Sequence, residues 1–126
     1  MKPDRSRLRV LVVAGGAFGS LVRFAATDFV GPDPALPWGT LLVNVAGSIG
    51  LGYLVGKSLS HPLPPGRLAF VGVGVMGAVT TFGGVMVQLL DLSGQGRVGV
   101  AILYVAISVL LGVASALATL RVGAGR

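Results

Sequence analysis

The chain has 126 residues, of which 53% are hydrophobic and only 11% charged, against about 25% charged in an ordinary soluble domain. With a mean hydropathy of +0.87, this composition excludes a soluble globular protein and points to an integral membrane protein. There is no cysteine, so disulfides and thiolate metal sites are excluded. The net charge of +6 comes from basic residues that flank apolar segments and form no soluble basic face, so nucleic acid is not the expected partner.

Four apolar stretches are long enough to span, given a need for about 20 residues. They cover about 8–29, 39–56, 68–90 and 98–120, so the chain reads as one all-α, four-span membrane domain over 1–126. The opening Met1-Lys2-Pro3-Asp4-Arg5 is not expected to be a signal peptide, because no convincing small-residue cleavage site follows and three more apolar stretches do. In the first span Gly15, Gly19 and Arg23 are spaced by four and share a face. An intramembrane arginine is costly. Arg23 either snorkels to the interface or faces a vestibule where it concentrates anions.

Pro32, Pro34 and Pro37 mark the first loop. The second span then carries Thr40, Asn44 and Ser48 at intervals of four, which puts a hydroxyl, an amide and a hydroxyl on one face. Two readings stand: interhelical hydrogen bonding, or a ladder of donors beside a pore. Pro62, Pro64 and Pro65 mark the second loop.

The third span holds the string Gly74-Val75-Met76-Gly77-Ala78-Val79-Thr80-Thr81-Phe82-Gly83-Gly84. Glycines alone would fit close helix packing. Thr80-Thr81 among them predicts a helix broken near its middle. Irregular backbone at membrane depth survives only in a protein-lined or polar cavity, and such breaks hold ions or substrates. Unwinding at 77–80 would free carbonyls, which suit a hard cation, while freed amides and hydroxyls would suit an anion. A polar turn at 91–96 leads to the fourth span, where Tyr104, Ser108 and Gly112 share a face. Tyr104 reads as an interface anchor or as part of the polar track.

The lysines and arginines set an expected orientation. Lys2, Arg5, Arg7, Arg9, Lys57, Arg67, Arg121 and Arg126 fall on one side, and only Arg97 on the other, with Asp28, Asp33 and Asp91 nearby. Both termini are therefore expected to be cytoplasmic, in a cell-membrane protein. The spans hold no carboxylate away from their ends, which disfavours a proton-coupled cation exporter. No Ser-His-Asp or His-Glu arrangement exists, so no enzyme is expected. What remains is an inventory of donors suited to a small anion.

Taken in order, several pieces resemble the Fluc/CrcB fluoride-channel family. They are Gly15-Gly16-Ala17-Phe18-Gly19-Ser20-Leu21-Val22-Arg23, then Pro37-Trp38-Gly39-Thr40-Leu41-Leu42-Val43-Asn44-Val45-Ala46-Gly47-Ser48, then Gly77-Ala78-Val79-Thr80-Thr81-Phe82, and last Tyr104 with Ser108. The resemblance covers nearly the whole chain, from Gly15 to about Ser115. It implies passive fluoride efflux through an antiparallel dimer. It also implies a central structural Na+ held by carbonyls at Gly77 and Thr80, and a fluoride pathway lined by Asn44 and Phe82. The hydroxyls of Thr40, Ser48, Thr81, Tyr104 and Ser108 would form its polar track.

One departure stands out. The family's Thr-Thr-Phe-Ser-Thr-Phe motif ends here in Gly83-Gly84-Val85, without the second phenylalanine and two hydroxyls. The charge bias fixes one orientation, so an antiparallel dimer needs a partner inserted the other way. The expectation is a heterodimer with an oppositely oriented paralogue, with a homodimer as the alternative. The competing functions are a non-conducting partner subunit and a small dual-topology drug or metabolite transporter.

Overall fold

The computed structural model describes residues 4–33 and 35–126. Met1, Lys2, Pro3 and Pro34, used above, lie outside the described residues. Four helical segments are long and apolar enough to cross a bilayer: Arg5–Val30, Trp38–Ser60, Pro65–Gly94 and Val98–Gly123. Among the described residues every regular element is helical.

Helix α1 (Arg5–Val30) starts in the basic flank, ahead of the apolar run. Asp4 is its N-cap: the carboxylate accepts from the Ser6 amide at 2.9 Å and the Ser6 hydroxyl at 2.7 Å, satisfying a donor that the first turn leaves free. Those bonds hold the Asp4 carboxyl below the usual carboxylate range. The helix ends where Gly31 takes φ 71°, a conformation that glycine adopts without a Cβ clash. Helix α2 (Trp38–Ser60) follows Pro37 and runs past the apolar stretch to Ser60.

The third span is assembled from pieces. A turn α3 (Pro65–Arg67) has proline at its first helical position, where the missing N–H costs nothing. A nine-residue π-helical segment follows, Leu68–Met76, and then a turn α4 (Gly77–Val79). Thr80 (φ −77°, ψ 144°) and Thr81 (φ −146°, ψ 114°) are extended. Helix α5 (Phe82–Gly94) resumes with Thr81 as its N-cap. It runs through Asp91 to Gly94, so the connection expected at 91–96 is shorter, with Gly96 at φ 76°. The Gln95 amide still reaches the Asp91 carbonyl at 3.2 Å, which keeps that last turn closed. Helix α6 (Val98–Gly123) completes the fold.

The elements pack in two pairs, α1 against the π-helical segment and α2 against α6, with α5 also on α6. The first pair meets backbone to backbone. A Cβ at Gly15 would run into the Phe70 carbonyl oxygen, and one at Gly74 would lie 2.8 Å from Gly15 Cα. Small residues permit this approach where lipid supplies no hydrophobic drive. Two buried clusters flank α2: Leu41 joins Val85, Leu92, Ala101 and Tyr104, while Val43 joins Val75 and Val79. Leu41 and Val43 are two positions apart and so face opposite sides of the helix. Asn44 therefore sits on the helix that both clusters share.

Candidate functional site

The extended pair Thr80-Thr81 would leave backbone polar groups unpaired at membrane depth, and each such group costs several kcal/mol in hydrocarbon. Asn44 answers part of this. Its Oδ1 accepts from the Thr81 N–H at 2.6 Å, and its Nδ2 donates to the Thr81 carbonyl at 3.1 Å. The side chain thus stands in for a helical turn. Thr81 Oγ1 accepts from the Gly84 N–H at 2.9 Å and caps α5.

These two bonds have a consequence for the carbonyls. In an α-helix the Thr81 N–H would close on the Gly77 carbonyl, and the Gly84 N–H on the Thr80 carbonyl. Both donors are engaged elsewhere. The carbonyls of Gly77 and Thr80 are left without their helical donors, and neutral carbonyl oxygens are ligands for a hard cation. Thr80 contributes no free hydroxyl, because its Oγ1 donates to the Met76 carbonyl at 3.0 Å. Among the described residues no group of three or more histidine, cysteine or carboxylate side chains could hold a metal.

Beside the extended pair lies a cavity of about 280 Å³, whose polar lining is Asn44, Ser48, Thr80, Thr81 and Ser108. Phe82 and Val85 form part of its apolar wall. Ser108 is 6% exposed, and its hydroxyl is the buried side-chain polar atom without a hydrogen-bond partner among the described residues. A buried hydroxyl left this way is costly unless a ligand or water uses it. Thr81 Oγ1 is occupied as an acceptor, so its proton remains available. Asn44 spends one N–H on Thr81 and has a second to offer. Phe82 is 67% exposed, so most of its ring is left uncovered by this chain.

Other expected residues lie apart from this cavity. Thr40 lines a second cavity of about 370 Å³ with Phe24, Thr27, Asp28 and Gln88. Tyr104 is 3% exposed and its hydroxyl donates to the Pro37 carbonyl at 3.3 Å, so it is a core residue and not an interface anchor. The reason is its place in the cluster with Leu41 and Val85. Arg23 is half-buried and lines neither cavity; its carbonyl accepts from Thr27 Oγ1 at 2.9 Å. Sequence reasoning missed Gln88, which borders the second cavity and a third of about 400 Å³ that also takes in Asp33 and Asp91. The spacing of Thr81, Gly84 and Gln88 on α5 is the signal that reaches it.

The model of the family described as CrcB-like protein, Camphor Resistance (CrcB), matches residues 10–120. The chain is 39% identical over 103 residues to fluoride-specific ion channel FluC 1 of Mycobacterium tuberculosis, covering 80% of this chain and 78% of the relative. It is 38% identical over 116 residues to fluoride-specific ion channel FluC of Thermus thermophilus, covering 90% and 91%. With the Methanocaldococcus jannaschii protein of the same name, identity is 37% over 100 residues, covering 79% and 81%. A multi-pass helical chain whose polar cavity adjoins an extended pair in the third span, matched over 10–120, belongs to the CrcB-like family of ion channels.

Proposed function

We propose that this chain is a subunit of a fluoride-selective channel that lets fluoride leave the cell passively. The observation that carries the reading is the unpartnered, buried Ser108 hydroxyl in a cavity shared with Asn44, Thr81 and Phe82. Fluoride is small and strongly hydrated, so losing water must be offset by convergent donors. Ser108, Ser48, Thr81 and the second N–H of Asn44 supply neutral donors. The Phe82 edge adds a weak positive potential that does not trap the ion. Thr40 and Tyr104 belong to the same polar track nearer the outer cavities, and Arg23 acts at the vestibule.

In this reading the third helix is a broken one, and its joint has a second role. The Gly77 and Thr80 carbonyls would hold a structural Na+. One chain offers two such oxygens, too few for an alkali ion, so a second chain supplies the rest. Dimerisation also answers the exposure of the cavity. Polar groups and free carbonyls at membrane depth do not face lipid, yet Gly77 is exposed and a Cβ there meets nothing within 4 Å. The partner is an antiparallel subunit, and the charge bias favours an oppositely inserted paralogue over a second copy. Both termini of this chain are then cytoplasmic.

A second reading is favoured by Gly83-Gly84-Val85. If these losses abolish conduction through this chain's cavity, it serves as a non-conducting partner subunit in a heterodimer. Fluoride efflux from liposomes tests both. The channel reading expects flux when this chain is reconstituted with its paralogue, and its loss with Asn44→Ala and Phe82→Ala in this chain. Unchanged flux in both variants removes the pathway assignment and leaves the partner-subunit reading. Strong flux from this chain alone removes the heterodimer. Full flux with no bound alkali ion removes the Na+ site.

A further inference from the structure

The basic end of the molecule carries a cavity that shares no lining residue with the one around Asn44 and Ser108. Helices α2 and α6 finish side by side there, and the Ser60 hydroxyl donates to the Ala124 carbonyl at 2.7 Å. Past α6 the chain folds back on itself. Gly125 takes φ 72°, its N–H reaches the Val122 carbonyl at 3.1 Å, and the Arg126 N–H reaches the Arg121 carbonyl at 3.0 Å. That pair of bonds is a Schellman motif, and its left-handed position is where glycine is favoured. The motif holds the Arg126 backbone against the turn that carries Arg121. Both arginines are exposed and, with Leu59, Ser60, Leu120 and Ala124, line a cavity of about 560 Å³.

We propose that this cavity binds the phosphate of an anionic phospholipid headgroup. Two guanidinium forks on one cavity match the paired non-bridging oxygens of a phosphodiester. Among the described residues no carboxylate side chain lines it, in contrast to the aspartates around the opposite end. Its place at the ends of two spans puts it at headgroup depth. Leu59 is 71% exposed and, with Leu120, gives an apolar wall for the glycerol and first methylenes. That wall distinguishes a lipid from soluble phosphate. Basic pockets between transmembrane helices recognise lipid headgroups through this combination.

The test uses the full chain purified in neutral detergent. Phosphatidylglycerol, phosphatidylcholine and inorganic phosphate are each titrated while thermal melting and lipid retention by native mass spectrometry are followed. Phosphatidylglycerol is expected to raise the melting temperature by several degrees over phosphatidylcholine. The Arg121→Gln/Arg126→Gln double variant should bind it at least about tenfold more weakly, with its melting in phosphatidylcholine unchanged. If the double variant does not melt cooperatively there, Arg126→Gln alone carries the comparison. Arg5→Gln, on the same basic side but outside the cavity, should behave as the unmodified chain. An equal loss with Arg5→Gln, an equal shift from inorganic phosphate, or no shift from phosphatidylglycerol would each overturn the assignment.

Discussion

The two halves of the third span meet at Thr80-Thr81 and lean on their main neighbours by different means. The leading half, 65–79, leans on α1 through main chain: Gly15 and Gly74 bring the two backbones together with no side chain between them. The trailing half, α5, leans on α6 and α2 through side chains, with Val85 and Leu92 packed among Leu41, Ala101 and Tyr104. A backbone contact has no rotamer to adjust, whereas a side-chain contact can leave voids. The cavities that hold Ser108 and Gln88 lie along the trailing half and at the joint. The leading half thus serves as a mount, and the polar chemistry gathers at the joint and on the neighbouring helices, where Asn44, Ser48, Thr80, Thr81 and Ser108 line one cavity. Asn44 ties the joint to α2.

The largest expected effect strikes the mount. Gly15→Val places a branched side chain against the Phe70 carbonyl, and neither backbone can retreat without separating α1 from the π-helical segment. A loss of about 3 kcal/mol is expected, at the upper end for overpacking, read as a fall in the unfolding midpoint in detergent. A midpoint within error of the unmodified chain would show that the two halves are held alike. Next in size is Asn44→Ala. It strips the Thr81 N–H and carbonyl of their partners, a cost of about 2 kcal/mol for buried groups left unmet. Fluoride efflux should fall with it. Asn44→Asp keeps an acceptor for the Thr81 N–H but sets a carboxylate against the Thr81 carbonyl at membrane depth, so it should be no more stable than Asn44→Ala.

Ser108→Ala separates chemistry from packing on α6, the helix that the trailing half leans on. The hydroxyl has no partner among the described residues, so its removal should leave stability unchanged or raise it. A several-fold fall in fluoride flux is expected with no fall in the melting temperature. A parallel loss of stability and flux would make Ser108 a structural residue and dissolve the distinction between the mount and the polar cavity.

Much of this was legible in the sequence, and the rest has identifiable reasons. The four spans follow from hydropathy, because lipid demands long apolar stretches. Their ends did not: α1 begins at Arg5 and α2 runs to Ser60, since polar residues at headgroup depth keep helical hydrogen bonds that hydropathy does not register. The π-helical backbone at 68–76 has no local signature; it accompanies the contact with α1. Asn44, Ser48, Thr81 and Ser108 were legible as donors, and they line one cavity. That Asn44 spends its amide on Thr81, 37 residues away, was not, because helical spacing says nothing about partners across the bundle. Tyr104 was open between interface and interior until its neighbours in the core were known.

The smallest expected effect on the chain itself comes from Gly77→Ala, and it tests whether the mount continues into a partner. Gly77 has helical backbone (φ −64°, ψ −28°), and a Cβ there meets nothing within 4 Å. Alanine favours helix over glycine by about 1 kcal/mol in water, so the folded chain should be unharmed or slightly steadier. Gly15 and Gly74 are glycines because a neighbour within the chain presses on them. Gly77 has no such neighbour, so a demand for glycine there would come from outside the chain. If a second subunit approaches the Gly77 carbonyl, the added methyl should lower the dimer fraction in bilayers, read by subunit counting, while monomer melting stays constant. An unchanged dimer fraction would place the partner contact elsewhere and confine the backbone-to-backbone mount to α1.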